Sequence, residues 1–174
     1  MHHLHTVYST LDNPPSMLYL IMRYVFVALF VGFCVAMYFG KGKNLKVTLN
    51  TGQQVNAFLA MIPPVVIFSL IYLSIEKLKI DVYEHDKALL KSNSKEVKVV
   101  EGAVKNYYPE SKEGHGNEGF TVQGVSFHYS HFEEGRSGYH QTFFYGGVIR
   151  QGLYVRLTYY DDGDRNAILK LESE

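Results

Sequence analysis

Four histidines in the C-terminal half, His115, His128, His131 and His140, are the side chains best suited to hold a metal. Neutral imidazoles suit zinc, copper or nickel, and Glu118 or Glu133 would complete a ligand set. Their spacing argues against it. His128 and His131 are three apart on an extended segment, so they point to opposite faces unless the strand ends between them. Neither His-x-His nor His-Glu-x-x-His occurs in this region. Surface and turn histidines are the plainer reading, and no cofactor is assigned. The N-terminal His2, His3 and His5 would chelate copper or nickel if the amino end is free, but they are expected on a flexible tail, which weakens the signal. Asp162-Gly163-Asp164-Arg165-Asn166 opens like a calcium loop, but Ala167 and Ser173 stand where such a loop needs glycine and glutamate. A tight turn explains it better.

His115 and Glu118 pair an imidazole with a carboxylate in a glycine-rich loop, a combination that serves acid–base chemistry. No serine or cysteine elbow, phosphate-binding loop or second paired carboxylate completes a mechanism. The chain is therefore expected not to be an enzyme. The loop with His115 and Glu118 is instead the first candidate for an interaction surface, unless these two side chains merely cap neighbouring backbone donors. No small-molecule substrate is indicated.

The elements that must position these residues divide the 174-residue chain sharply. In residues 17–40, 21 of 24 side chains are apolar and only Arg23 is charged. At about 1.5 Å per residue the run is long enough for a hydrocarbon core of about 30 Å. Arg23, Tyr19, Tyr24 and Tyr38 fit interfacial anchors, the arginine by snorkelling. Residues 57–75 form a second run, with 15 apolar residues of 19 and no charge. Pro63 and Pro64 inside it read as a kink, which membrane helices tolerate. Ser69 and Ser74 are placed to bond back to helix carbonyls or across to the first helix. The tail before the first run has no lysine or arginine, and no small-residue cleavage site follows it, so the run reads as an anchor and not a cleaved signal.

The expected organisation is a tail (1–16) and a two-helix transmembrane hairpin (17–75, with loop 41–56). An amphipathic linker (76–95) and a small β domain (96–174) follow. Positive charges on the tail and domain side outnumber those of the loop by six to three, which points to a cytoplasmic domain. Residues 76–174 carry 13 basic and 16 acidic side chains, the wrong sign for a nucleic-acid partner. Five strand-like runs, 96–108, 119–130, 139–149, 153–160 and 167–171, suggest a small OB- or SH3-like barrel, with a small sandwich as the alternative. Gly124 is expected to mark a bulge or bend, and 161–166 a hairpin loop.

Several strings carry a resemblance: Val100-Glu101-Gly102, Asn106, Pro109, Gly114-His115, Glu118-Gly119-Phe120-Thr121-Val122 and Phe127-His128-Tyr129-Ser130. Gly146-Gly147-Val148-Ile149, Gly152-Leu153-Tyr154-Val155-Arg156 and Asn166-Ala167-Ile168-Leu169 continue it. Over residues 99–171 the chain resembles a family of uncharacterised bacterial proteins with a small C-terminal β domain. The resemblance implies a bacterial origin and a compact β domain, and assigns no chemistry. The layout is also similar to bacterial membrane proteins that end in an OB-type domain and assist membrane-bound partners. The expectation is a multi-pass protein of the bacterial inner membrane. The bilayer is one partner, and a protein or a second copy is the other. It would act as a non-catalytic binding or accessory protein. The alternatives are an immunity or stress protein against a membrane-acting toxin, or a metal-dependent enzyme or sensor using the histidines.

Overall fold

The computed structural model describes residues 3–15, 17–40, 46–48, 50–92, 94–113, 116–133, 135–136 and 138–174. The side chains of residues 17–20, 58, 59 and 61 lie outside that description. The chain divides into two units: Ser16–Leu78, and Met1–Pro15 together with Lys79–Glu174.

The first unit is helical. α1 (Met17–Phe39) has neither proline nor acidic residue, and its backbone satisfies itself, as apolar surroundings require. Among the described residues, Ile21–Phe39 is the one stretch long and apolar enough to cross a bilayer, with a mean hydropathy of 2.0. A short hairpin, β2 (Lys46–Thr48) with β3 (Gln54–Asn56), leads into α2 (Ala57–Ser92). This 36-residue helix runs on through Pro63 and Pro64. Residues 76–92, most of the amphipathic linker, are its last turns, so the linker is a continuation of the second helix, the plainer of its two sequence readings. The helix continues because no glycine or proline interrupts it before Ser92. Half-buried Arg23, Val27, Cys34 and Tyr38 recur every three to four residues or at multiples of that spacing along α1 and form a seam. Arg23 makes an ion pair with Glu76 of α2 and lies 5.8 Å from the ring centroid of Tyr72. Ser74 donates back to the Leu70 carbonyl at 2.8 Å.

The second unit is largely β. Its strands are β1 (His5–Ser9), β4 (Lys98–Ala103), β5 (Lys105–Tyr108), β6 (Glu118–Val122), β7 (Val125–Tyr129), β8 (Tyr154–Asp161) and β9 (Asn166–Ser173). They form two open antiparallel sheets, in the orders β1-β9-β8-β4 and β5-β6-β7. Where a small, partly closed OB- or SH3-like barrel is expected, backbone pairing closes no ring among the described residues. Side chains bridge β7 and β9 instead: the Asn166 amide donates to the Ser126 carbonyl at 2.9 Å and Arg165 to the His128 carbonyl at 3.5 Å.

Two local expectations change and a third is narrowed. The tail is not free of the fold, since His5–Ser9 pairs with β9 and Thr10 donates to the Leu169 carbonyl at 3.1 Å. Of bulge and bend, Gly124 marks the bend, in its sharpest form. With Gln123 at φ 50° and Gly124 at φ 82° it forms the two-residue turn of the β6–β7 hairpin. Residues 139–149 are not a strand but carry a 3-10 turn, Phe143–Tyr145, ended by left-handed Gly146. The loop after Asp161 is a hairpin turn as expected, with the Asp162 carboxylate accepting the amides of Asp164 and Arg165.

Strand alternation sends Phe120, Val122, Phe127 and Tyr129 inward to meet Tyr139, Ile149, Leu157 and Leu171. Each such side chain, fully buried, contributes about 1.5–3 kcal/mol. A smaller cluster sets Leu89 of α2 against Tyr160, Ala167 and Leu169, and Tyr160 donates to the buried Asp86 carboxylate at 3.1 Å.

Candidate functional site

The alternation that buries Phe120 and Val122 also buries Glu118, two residues earlier on the same face of β6. A carboxylate buried there requires donors, and three elements supply them. Tyr129 stands directly opposite on β7 and its hydroxyl donates to Oε1 at 2.8 Å. The Tyr107 hydroxyl, from β5, donates to Oε2 at 3.2 Å. The Phe143 amide donates to the same oxygen at 2.7 Å. Thr142 begins the 3-10 turn without a side-chain cap, so Glu118, 25 residues away, takes the first orphan N–H of that turn. Gly119 beside it leaves room for the exposed Tyr108 ring, whose tip a Cβ there would push aside.

Burial pushes the Glu118 carboxyl above its ordinary value, against the opposing pull of its three donors, and the nearby Glu110 charge adds to the rise. Burial also raises Tyr107 and Tyr129, and Tyr139 reaches about 12. Tyr139 accepts the Val148 amide at 3.2 Å.

Glu110, also buried, repeats the device. It accepts the Ser130 hydroxyl, and the His131 amide at 3.3 Å. Ser130 in turn accepts the Phe132 amide at 3.2 Å. One glutamate thus fixes residues 130–132 and the other fixes 143–145. The two segments meet above them. His131 stacks flat on Tyr145 with centroids 4.1 Å apart, and Phe132 stands edge-on to Tyr145 at 5.4 Å. Phe143 and Phe144 pack edge to face, and the Lys112 ammonium lies 5.2 Å from the Phe144 ring centroid. Phe132, Phe143, Phe144 and Tyr145 remain 54, 46, 41 and 38% exposed. Two internal carboxylates therefore hold up a preformed, solvent-facing aromatic face.

The residues singled out in the sequence are not brought together. His115 lies outside the described residues, and Glu118 is an internal strand residue, not a loop surface. Of its three partners only one is a backbone donor, the Phe143 amide 25 residues away. His128 sits on β7, and His140 shares a 2.9 Å contact between Nδ1 and the Gly138 carbonyl. The His131 ring is taken up by stacking. Among the described residues no three His, Cys, Asp or Glu side chains converge as a metal set. In the helical unit, Arg23 is held by Glu76, Tyr24 is exposed, Tyr38 packs edge-on to Phe39, and the Tyr19 side chain lies outside the description. Glu110, Glu76 and Tyr107 are the contact-making positions that spacing does not reveal. For Glu118 the signal is present, since its parity with Phe120 and Val122 points it inward. In comparisons with family models, characterised proteins and solved structures, nothing matches this chain.

Proposed function

We propose that this is a non-catalytic accessory protein, anchored by a two-span helical hairpin and offering its small β unit to a protein partner. The observation that carries the reading is the pairing of β1 with β9. Strands on either side of the apolar helix belong to one sheet, so a chain that leaves through α1 must return before β4. The apolar part of α2, residues 57–75, is the stretch that would do this, and Glu76 just beyond it meets Arg23. The same pairing argues against a cleaved signal, because cleavage after α1 would remove a strand of the sheet. The excess of lysine and arginine on the tail and domain side supports a cytoplasmic β unit in a bacterial inner membrane. The strand count and the side-chain bridges between β7 and β9 support a barrel-like, OB- or SH3-type closure.

Reporter fusions after Gly52 and after Glu174 test the anchor: opposite sides are expected, and the same side would overturn it. Photo-crosslinkers spread over the β unit in intact cells test the binding role. A reproducible adduct, with a second protein or a second copy, is expected. Uncrosslinked chain at every position would overturn it.

A further inference from the structure

We infer that the aromatic face formed by Phe132, Phe143, Phe144 and Tyr145 is a docking surface for the headgroup region of the bilayer that anchors the chain. The inference rests on the anchored reading and adds a second membrane contact, which fixes how the β unit is presented to its partner.

Size is the first argument. Phe and Tyr side chains offer about 200 Å² each, so four of them near half exposure make a patch of roughly 350 Å². That is the size of the largest apolar patch on a typical soluble monomer, a patch that is often functional. It is less than half of the ~800 Å² per partner that a stable protein–protein interface buries. A bilayer does not need that area from a unit already held to it, because the hairpin has removed most of the translational freedom that association costs.

Chemistry is the second. Phenylalanine and tyrosine rings with a lysine at the edge form the composition that settles at headgroup depth. Lys112 lies over Phe144 and supplies that cation. The rings are also held out in advance: Glu118 holds the Phe143 amide and Glu110 holds the His131 amide. A flexible loop would fold its rings back onto the core, and these two clips prevent it.

The chain contains no tryptophan, so Phe144→Trp places one reporter on the face, and Val99→Trp places one on exposed β4 as the control. Each full-length variant is reconstituted in vesicles of phosphatidylethanolamine and phosphatidylglycerol, with and without bromine on the acyl chains. The Phe144→Trp emission is expected to lie to the blue of Val99→Trp and to be quenched several-fold more strongly by the brominated lipid. Equal, water-like emission from both, with quenching in neither, overturns bilayer docking. If Phe144→Trp then shifts only when cell extract is added, the face belongs to a macromolecular partner and the proposal is equally overturned. Alkaline extraction of the same vesicles separates the two readings. Chain that stays with the lipid while Phe144→Trp is unquenched loses only the docking face, and chain that is stripped off loses the anchor.

Discussion

Two buried glutamates in this molecule are satisfied in opposite ways. Glu118, in the β unit, is surrounded by neutral donors: two tyrosine hydroxyls and one backbone amide. Glu76, in the helical unit, meets a full positive charge, the Arg23 guanidinium beside Tyr72. Backbone availability explains the difference. Inside long helices every amide is already bonded to the preceding turn, so a buried carboxylate finds no spare N–H and needs a side-chain cation. A 3-10 turn begins with orphan amides, and a hairpin sets a tyrosine directly across from position 118. A fold rich in turns stabilises a buried acid with dipoles, whereas a helix pair requires an ion pair.

Removing the acid from its dipoles gives the largest expected effect. Glu118→Leu leaves the buried Tyr129 hydroxyl without an acceptor, at about 1–3 kcal/mol, and the part-buried Phe143 amide and Tyr107 hydroxyl at less. A loss of about 3 kcal/mol is expected in denaturant unfolding of the detergent-solubilised chain, with faster hydrogen exchange at the Phe143 amide. Exchange there as slow as in the unsubstituted chain would show that Glu118 does not hold the turn.

Removing the cation from the ion pair comes next. Fully buried pairs lose about 3–5 kcal/mol when one partner goes, but the Arg23 side chain is 33% exposed, so solvent screening reduces the figure. Arg23→Ala is expected to cost about 2 kcal/mol in the stability of the α1–α2 pair, read by resistance to proteolysis. Arg23→Lys should recover only part of it, lacking the planar guanidinium. The exchange Arg23→Glu with Glu76→Arg should recover most of it. If the exchange is as damaging as the single change, the contact is not an ion pair of consequence.

The same contrast explains what is legible in the sequence. Two apolar runs and a Gly/Tyr-rich β region follow from composition alone, and α1 and the β8–β9 hairpin appear where periodicity and turn chemistry put them. The parity of Glu118 with Phe120 is also readable, but a charged residue after Gly114-His115-Gly116-Asn117 looks like loop, and the loop reading obscures it. Residues 139–149 look like strand because the aromatics are there. Gly146 at φ 88° and Gly147, where a Cβ would lie 2.1 Å from the Gln141 carbonyl oxygen, make it a turn. Least legible are contacts between residues far apart in the chain. β1 with β9, Glu110 with Ser130 and Arg23 with Glu76 each depend on the completed fold. No local pattern announces them.

The tyrosines sharpen the comparison at smaller scale. Tyr129 is buried and Tyr107 partly exposed, so Tyr129→Phe is expected to cost about 1 kcal/mol and Tyr107→Phe a few tenths. Tyr107, Tyr129 and Tyr139 all sit above the ordinary value of 10.0 in the fold. The folded state therefore keeps protons that the unfolded chain has lost. Their contribution is fully present below pH 10 and is lost as the pH rises through the folded values, about 12 for Tyr139. Circular dichroism against tyrosinate absorbance should show unfolding begin within this window, and Tyr129→Phe should move its onset upward.

The smallest effect, and the most specific to a carboxylate held by dipoles, belongs to Glu118→Gln. The amide keeps the shape and one acceptor oxygen, which can face Tyr107 and Phe143 while the Tyr129 hydroxyl turns to accept. The cost should be about 1 kcal/mol or less. Its pH dependence carries the information. Because burial raises Glu118 above its ordinary 4.5, the folded state favours the protonated acid. That contribution is present below the ordinary value and fades as the pH climbs through the raised one. The penalty of Glu118→Gln relative to the unsubstituted chain should thus be greatest near pH 4 and shrink towards pH 7, other groups cancelling in the difference. Glu110→Gln, by removing the neighbouring charge, should shift that fading to lower pH. A penalty that grows from pH 4 to pH 7 would mean that Glu118 is held as an anion more firmly than three neutral donors achieve. It would then resemble Glu76, and the contrast between the two units would fail.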